Sequence, residues 1–316
     1  MRVVCPTCQA EYELPPKTSF RCSCGTLLSV DARGEFHWRV SAPGGGIGKA
    51  VLIVFAAAAL LIAAAVAAML VLRGGATKTV KSGAPALRGD ITVELRDGVR
   101  LELVKVEAGT FTMGDRRVTL NNDYYIGMTE VTQEQWYAMM GPHRARFRRG
   151  SSNRPLECVS WNEAMAFCEK LNEVGKAPKG WKFTLPTEAQ WEYAARGGNR
   201  SRGYEYSGGD DADDVAWYWD NSDNETHPVA QKRANELGLY DMSGNVCEWC
   251  LDWYGENYAR DPEHPERGGF GRAVVVRGGC WSDGASKCGS TVRRSKSWNE
   301  RWDGRIGFRV VLVPVR

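Results

Sequence analysis

Cysteines are the residues of this 316-residue chain with the clearest capacity for chemistry, and its ten fall into two groups. In the first, Cys5 and Cys8 form a CxxC turn, and Cys22 and Cys24 form a tighter C-x-C turn followed by Gly25. Two such turns thirteen residues apart can bring four thiolates into a tetrahedron around zinc, with two disulfides as the alternative. Four protein ligands leave no open position on the metal, so the expected role is binding or anchoring, with the metal supplying folding free energy. The second group is Cys158, Cys168, Cys247, Cys250, Cys280 and Cys288. The stretch "GGCWSDGASKC", residues 278 to 288, sets Cys280 and Cys288 eight positions apart. Spacing leaves open a redox or metal site on one side and structural disulfides on the other, since six thiols allow fifteen pairings. The four histidines, His37, His143, His227 and His264, are scattered and show no two-His-plus-carboxylate spacing. A net charge of +3 is too small to indicate nucleic-acid binding.

Several elements must position these groups. Residues 50–72, "AVLIVFAAAALLIAAAVAAMLVL", are 23 apolar residues without a charge. At about 1.5 Å per residue they reach about 34 Å, enough for a bilayer core of about 30 Å. A single membrane span is expected there. Basic residues flank both ends (Arg33, Arg39 and Lys49; Arg73, Lys78, Lys81 and Arg88), so charge does not orient it. A thiolate zinc site suits a reducing cytoplasm and a cysteine-bearing, loop-rich domain suits an oxidising exterior, which places the N-terminus in the cytoplasm and the C-terminal domain in the periplasm or outside the cell. The expected organisation is a zinc-binding segment at 1–30, a juxtamembrane linker at 31–49, the span at 50–72, a flexible linker at 73–90 and a folded domain at 91–316. In that domain, Thr132 with Gln135, Ser160 with Glu163 and Thr187 with Gln190 are capping boxes that predict helices stopping near Gly141, Gly175 and Gly197. Trp161, Ala164, Met165, Phe167, Cys168 and Leu171 form one apolar face of the second helix. Short β-like runs, "AVVVRGG" and "GFRVVLVPV", lie among Gly-, Asn- and Asp-rich stretches. The expected class is mixed α+β with little regular secondary structure.

The phrases "VEAGTFTMGD", "TEVTQEQW", "VSWNEAMAFC", "LPTEAQWEYAARGG", "ELGLYDMSGNVCEW", "VVRGGCW" and "IGFRV" occur in the order found in one family. In them the C-terminal domain resembles the formylglycine-generating enzyme, or sulfatase-modifying factor, family. The N-terminal segment resembles the small zinc ribbon of many bacterial membrane proteins. The first resemblance implies a C-type-lectin-like fold and, as a possible activity, oxygen-dependent conversion of a sulfatase cysteine to formylglycine by copper held between two thiolates.

Counting from Gly278 and Gly279, the family's second catalytic cysteine falls on Cys288, but the first falls on Asp283. A carboxylate is a poor ligand for soft Cu(I). The serine after the glycines is Cys280, and the first tryptophan of the family's Trp-Glu-Trp is Cys247. The resemblance therefore sets Cys247 and Cys280 on two walls of the inherited pocket. The expectation is a Cys247–Cys280 disulfide, with Cys250–Cys288 as the next pair and Cys158 and Cys168 left over. The alternative is a thiolate metal site of Cys247, Cys280 and Cys288. The family's calcium positions match Asp241, Gly244, Val246 and Glu248, whose carboxylate and carbonyl oxygens suit that hard ion. The acids of "GGDDADD" (Asp210, Asp211, Asp213 and Asp214) and the basic run 144–150 read as solvated loops. The function expected is non-catalytic binding or scaffolding toward a protein or glycan ligand. An oxidase, with copper as cofactor and a sulfatase as partner, is the rival. A retroelement-diversified display protein ranks last, because "SKSWNERWDGR" carries Trp298, Glu300 and Trp302 where Asn-derived residues are expected.

Overall fold

In the computed structural model the residues described are the strands of the N-terminal unit, by backbone alone, and residues 89–148, 152–255, 273–301 and 303–315. The chain divides into two compact units, Met1–Ser82 and Gly83–Arg316. In the first, β1 (Arg2–Val4) pairs antiparallel with β2 (Glu11–Glu13). Strands β3 (Thr18–Arg21), β4 (Leu27–Val30) and β5 (Phe36–Arg39) form an antiparallel meander. The candidate zinc ligands Cys5, Cys8, Cys22 and Cys24 and the apolar run 50–72 lie outside the described residues. Among the described residues no helix is long and apolar enough to cross a membrane.

The second unit opens with β6 (Ile91–Glu94), β7 (Arg100–Val106), the hairpin β8 (Gly109–Met113) and β9 (Arg116–Leu120), and β10 (Tyr124–Gly127). Three helices then start where the capping boxes predict: α1 (Gln133–Met140), α2 (Trp161–Glu173) and α3 (Glu188–Ala195). In each, the N-cap hydroxyl accepts the amide three residues on and that Gln or Glu side chain answers the N-cap amide. Strand β11 (Trp181–Thr184) precedes α3, and the short α4 (Ala212–Val215) follows it, capped by Asp211. The chain ends with β12 (Cys247–Trp253), β13 (Ala273–Arg277), β14 (Arg293–Ser297), β15 (Ile306–Gly307) and β16 (Val311–Pro314).

Two sheets organise the unit. One is antiparallel in the order β11-β16-β10-β7-β6; the other runs β14-β13-β12-β15, with β15 parallel to β12. The run "GFRVVLVPV" is thus divided between sheets. It leaves β15 in the smaller one, hands the Phe308 and Val310 carbonyls to the amides of Val131 and Gly127, and enters the larger sheet as β16. One core cluster centres on Trp136, Phe167 and Phe308, with Phe167 stacked on Trp136 at 5.7 Å and edge-on to Phe308 at 5.4 Å. Ala164, Cys168 and Leu171 of α2 pack there beside the partly buried Trp161 and Met165. A second cluster gathers Tyr124, Ile126, Trp191, Cys250 and Val275.

Candidate functional site

Strand β12 brings Cys247 to the floor of a buried polar site, the loop after β13 brings Cys280 and Asp283, and β14 brings Arg294. The loop turns on Gly278 and Gly279, both at positive φ, and a Cβ on Gly279 would lie 2.7 Å from Cys288 Sγ. Only glycine permits that approach. Asp283 then folds back on its own turn: its Oδ2 accepts the Cys280 amide at 3.0 Å and the Cys280 thiol at 3.1 Å, and lies 3.9 Å from Cys247 Sγ. Arg294 clamps the carboxylate through Nη1–Oδ1 at 2.9 Å and Nη2–Oδ2 at 2.6 Å, and the same Nη2 donates to Cys247 Sγ at 2.7 Å.

Burial opposes ionisation of Asp283, but the Arg294 guanidinium outweighs it and holds the carboxyl below its ordinary range. The hydrogen bond from Cys247 pulls the Cys280 thiol down, whereas burial, and then its neighbour Cys280, push Cys247 well up. Burial pushes Cys288 up to about 12. It sits in a separate apolar cluster with Tyr206, Val215 and Tyr218. At the two positions that the family resemblance would assign to copper there is thus one arginine-locked carboxylate and one thiol that burial pushes up.

The expected disulfides are corrected by this geometry. Cys158, Cys168, Cys247, Cys250, Cys280 and Cys288 are all free. Cys247 and Cys280 do converge, but as thiols engaged with Arg294 and Asp283. Cys250 packs against Trp191 and Val275 in one cluster and Cys288 in another, so that pair does not form. Nor does Cys288 complete the thiolate trio: the third group beside Cys247 and Cys280 is Asp283. Sequence reasoning does not single out Arg294, which stands in a surface-like "RRSKS" run and reveals its role only through its partners.

The segment 241–248 forms a second buried polar centre. Glu248 lies between Arg309, which donates from Nε to Oε2 and from Nη2 to Oε1 at 2.7 Å each, and Trp191 Nε1, which donates to Oε2 at 2.7 Å. Asp241, at positive φ, accepts the Ala230 amide through Oδ2 at 2.7 Å, while its buried Oδ1 has no hydrogen-bond partner. Glu130, absent from the sequence-based set, faces the same centre and accepts the Val246 amide at 3.3 Å. Burial, then the neighbouring carboxylates, push Glu130 well up, and burial pushes Asp241 up to about 6. Three buried carboxylates against one guanidinium, with one oxygen unpartnered, fit a hard cation. Asp241 and Glu248 would hold it by side chain, with Gly244 and Val246 on the intervening turn. The acids of 210–214 do local work instead: Asp211 caps α4, Asp213 accepts from Tyr218 and Asn221, and Asp214 faces Arg233.

Residues 95–313 match the family model of the sulfatase-modifying factor enzyme 1-like domain. The chain belongs to that family. It is 36% identical over 233 residues to the chaperone protein LppX of Paenibacillus barcinonensis, covering 57% of this chain and 78% of that protein. It is 36% identical over 177 residues to the formylglycine-generating enzyme of Streptomyces coelicolor, covering 51% of this chain and only 53% of the enzyme. Among solved structures it is similar to Treponema denticola variable protein 1, with a TM-score of 0.63 and 30% identity over 71% of this chain and 99% of that one.

Proposed function

We propose that this sulfatase-modifying-factor domain is a non-oxidase binding or scaffolding module, tethered to a membrane by residues 50–72, with a zinc ribbon at its cytoplasmic N-terminus. The observation that carries the reading is that Asp283, locked by Arg294, stands where the resemblance expects the first copper thiolate. Copper transfer of electrons between a bound thiol and oxygen needs soft, ionised sulfur ligands, and that position offers a hard oxygen. An open cleft of about 570 Å³ lined by His143, Arg144, Cys158, Glu163, Arg301 and Asp303 supplies concave surface with charges of both signs, suited to a polar protein or glycan ligand. The similarity to a protein named as a chaperone favours a protein ligand. The tether rests on the 23-residue apolar run and the ribbon on the paired cysteines between short antiparallel strands. A calcium ion at Asp241, Gly244, Val246 and Glu248 belongs to the same reading as a structural clamp.

The test is incubation of the purified full chain with copper, oxygen and reductant and a peptide bearing Cys-x-Pro-x-Arg, followed by mass spectrometry. No formylglycine is expected. Formylglycine in amounts exceeding the enzyme would restore the oxidase, and with it a sulfatase as partner.

A further inference from the structure

We propose that Cys247, Cys280 and Asp283 form a binding site for a thiophilic divalent cation, of which zinc is the natural probe, sharing Asp283 but not Cys288 with the two positions that the family resemblance would assign to copper. Among the described residues this is the one group of three His, Cys, Asp or Glu side chains whose ligand atoms all lie within 4.8 Å of one another. Tetrahedral zinc, with Zn–S about 2.3 Å and Zn–O about 2.1 Å, separates two thiolates by about 3.8 Å and a thiolate from a carboxylate oxygen by about 3.6 Å. The observed sulfur-to-Oδ2 separations, 3.1 Å from Cys280 and 3.9 Å from Cys247, bracket that value. Closing the shell therefore takes small shifts of the three ligands together with withdrawal of Arg294 Nη2 from Oδ2 and Cys247 Sγ.

Charge supports the same assignment. Two thiolates and a carboxylate carry −3, and a divalent ion with Arg294 returns the site to neutrality, which a buried cluster requires. Arg294 then acts as outer-shell support. Its Nη1 holds Asp283 Oδ1, while Nη2, which bonds both Oδ2 and Cys247 Sγ, at 2.6 and 2.7 Å, has to give up those two atoms to the ion. Both thiols are fully buried, but the Asp283 and Arg294 side chains keep 15% and 25% of their surface exposed, so the ion reaches the site from that side. Ser282 Oγ, 3.4 Å from Cys280 Sγ, and water are the available fourth ligands. Cys247 and Cys280 come from β12 and from the loop after β13, far apart in the chain, so their meeting is a property of the fold and not of a local knuckle.

The experiment uses the full chain, purified reduced, stripped with chelator and re-equilibrated with zinc alone. Because Cys5, Cys8, Cys22 and Cys24 can hold zinc as well, the readout is a difference between variants. The Cys247→Ala/Cys280→Ala double variant is expected to hold one equivalent of zinc less than wild type by elemental analysis. Cobalt loading should show a thiolate-to-metal absorption band in the wild-type-minus-variant difference spectrum. Equal zinc content with no difference band overturns the proposal. Should circular dichroism show the double variant unfolded, Asp283→Asn, which keeps both thiols, decides. It is expected to weaken that one equivalent by at least about tenfold, and an unchanged affinity overturns the site.

Discussion

Asp252 is a buried carboxyl that must do without a full counter-charge of its own. Its Oδ2 accepts the Glu188 amide at 2.6 Å at the start of α3, but Glu188 is itself paired with Arg293 at 2.8 Å, and Arg277 serves Glu192. Burial therefore pushes Asp252 up to about 8. In the unfolded chain an aspartate titrates near 3.9. Between those values the folded state binds the extra proton, so this residue's contribution is complete below about pH 4 and is lost as pH rises toward 8. Asp252→Asn stays neutral throughout and can accept the same amide through its carbonyl oxygen. The variant should match wild type in melting temperature near pH 4 and exceed it increasingly toward pH 8, by about 2–4 °C for each 1 kcal/mol in a domain of this size. A difference that does not vary with pH would sink this account.

Helix caps are the elements that could be read directly from the chain. Ser160 Oγ and amide both donate to Glu163 Oε2, at 2.7 and 2.9 Å, and at α1 and α3 the Thr132 and Thr187 amides donate to Gln135 and Gln190 Oε1 while their hydroxyls accept the Gln amides. Such signals are local, so the starts and stops of all three helices were legible. Thr187→Ala should cost about 1 kcal/mol, read as a lower denaturant midpoint at unchanged slope; an unshifted midpoint would show that the box is idle in the tertiary context. The sheets were less legible because strand partners are remote. β14 is "RRSKS", half-buried throughout, and nothing in its pattern announces that it flanks β13. The site divides along the same line. Asp283, Cys280 and Cys288 were placed by counting from Gly278, a local operation, while Arg294, Glu130 and Arg309 are charged residues whose burial is defined only by partners elsewhere. The disulfide expectation failed for a related reason: proximity of Cys247 and Cys280 was readable, but the arginine and carboxylate that engage them as thiols were not.

At the scale of the whole domain, Arg309 ties distant pieces together. It reaches Glu248 on β12, the Gly127 carbonyl at the end of β10 at 2.9 Å and the Tyr240 carbonyl at 3.0 Å, so one buried side chain spans both sheets and the loop before β12. Glu130 and Asp241 add two buried carboxyls in excess of the single guanidinium, and burial pushes both up toward their protonated forms. A calcium ion bound only in the folded state would neutralise the excess and clamp loops that no sheet holds. At a free concentration 100 times its dissociation constant it would stabilise the domain by about 2.7 kcal/mol. Chelator should accordingly lower the melting temperature by about 5–11 °C in a domain of this size. The informative variant is Asp241→Asn rather than one at Glu248, because removing Glu248 would strand the buried Arg309 and cost about 3–5 kcal/mol through the fold alone. Asp241→Asn keeps an acceptor for the Ala230 amide, removes one of the two side-chain ligands, and should abolish the response to chelator while leaving the metal-free melting temperature unchanged or higher. If chelator leaves the wild-type melting temperature where it was, the junction is held by Arg309 and by protons on Glu130 and Asp241, and calcium has no part in it.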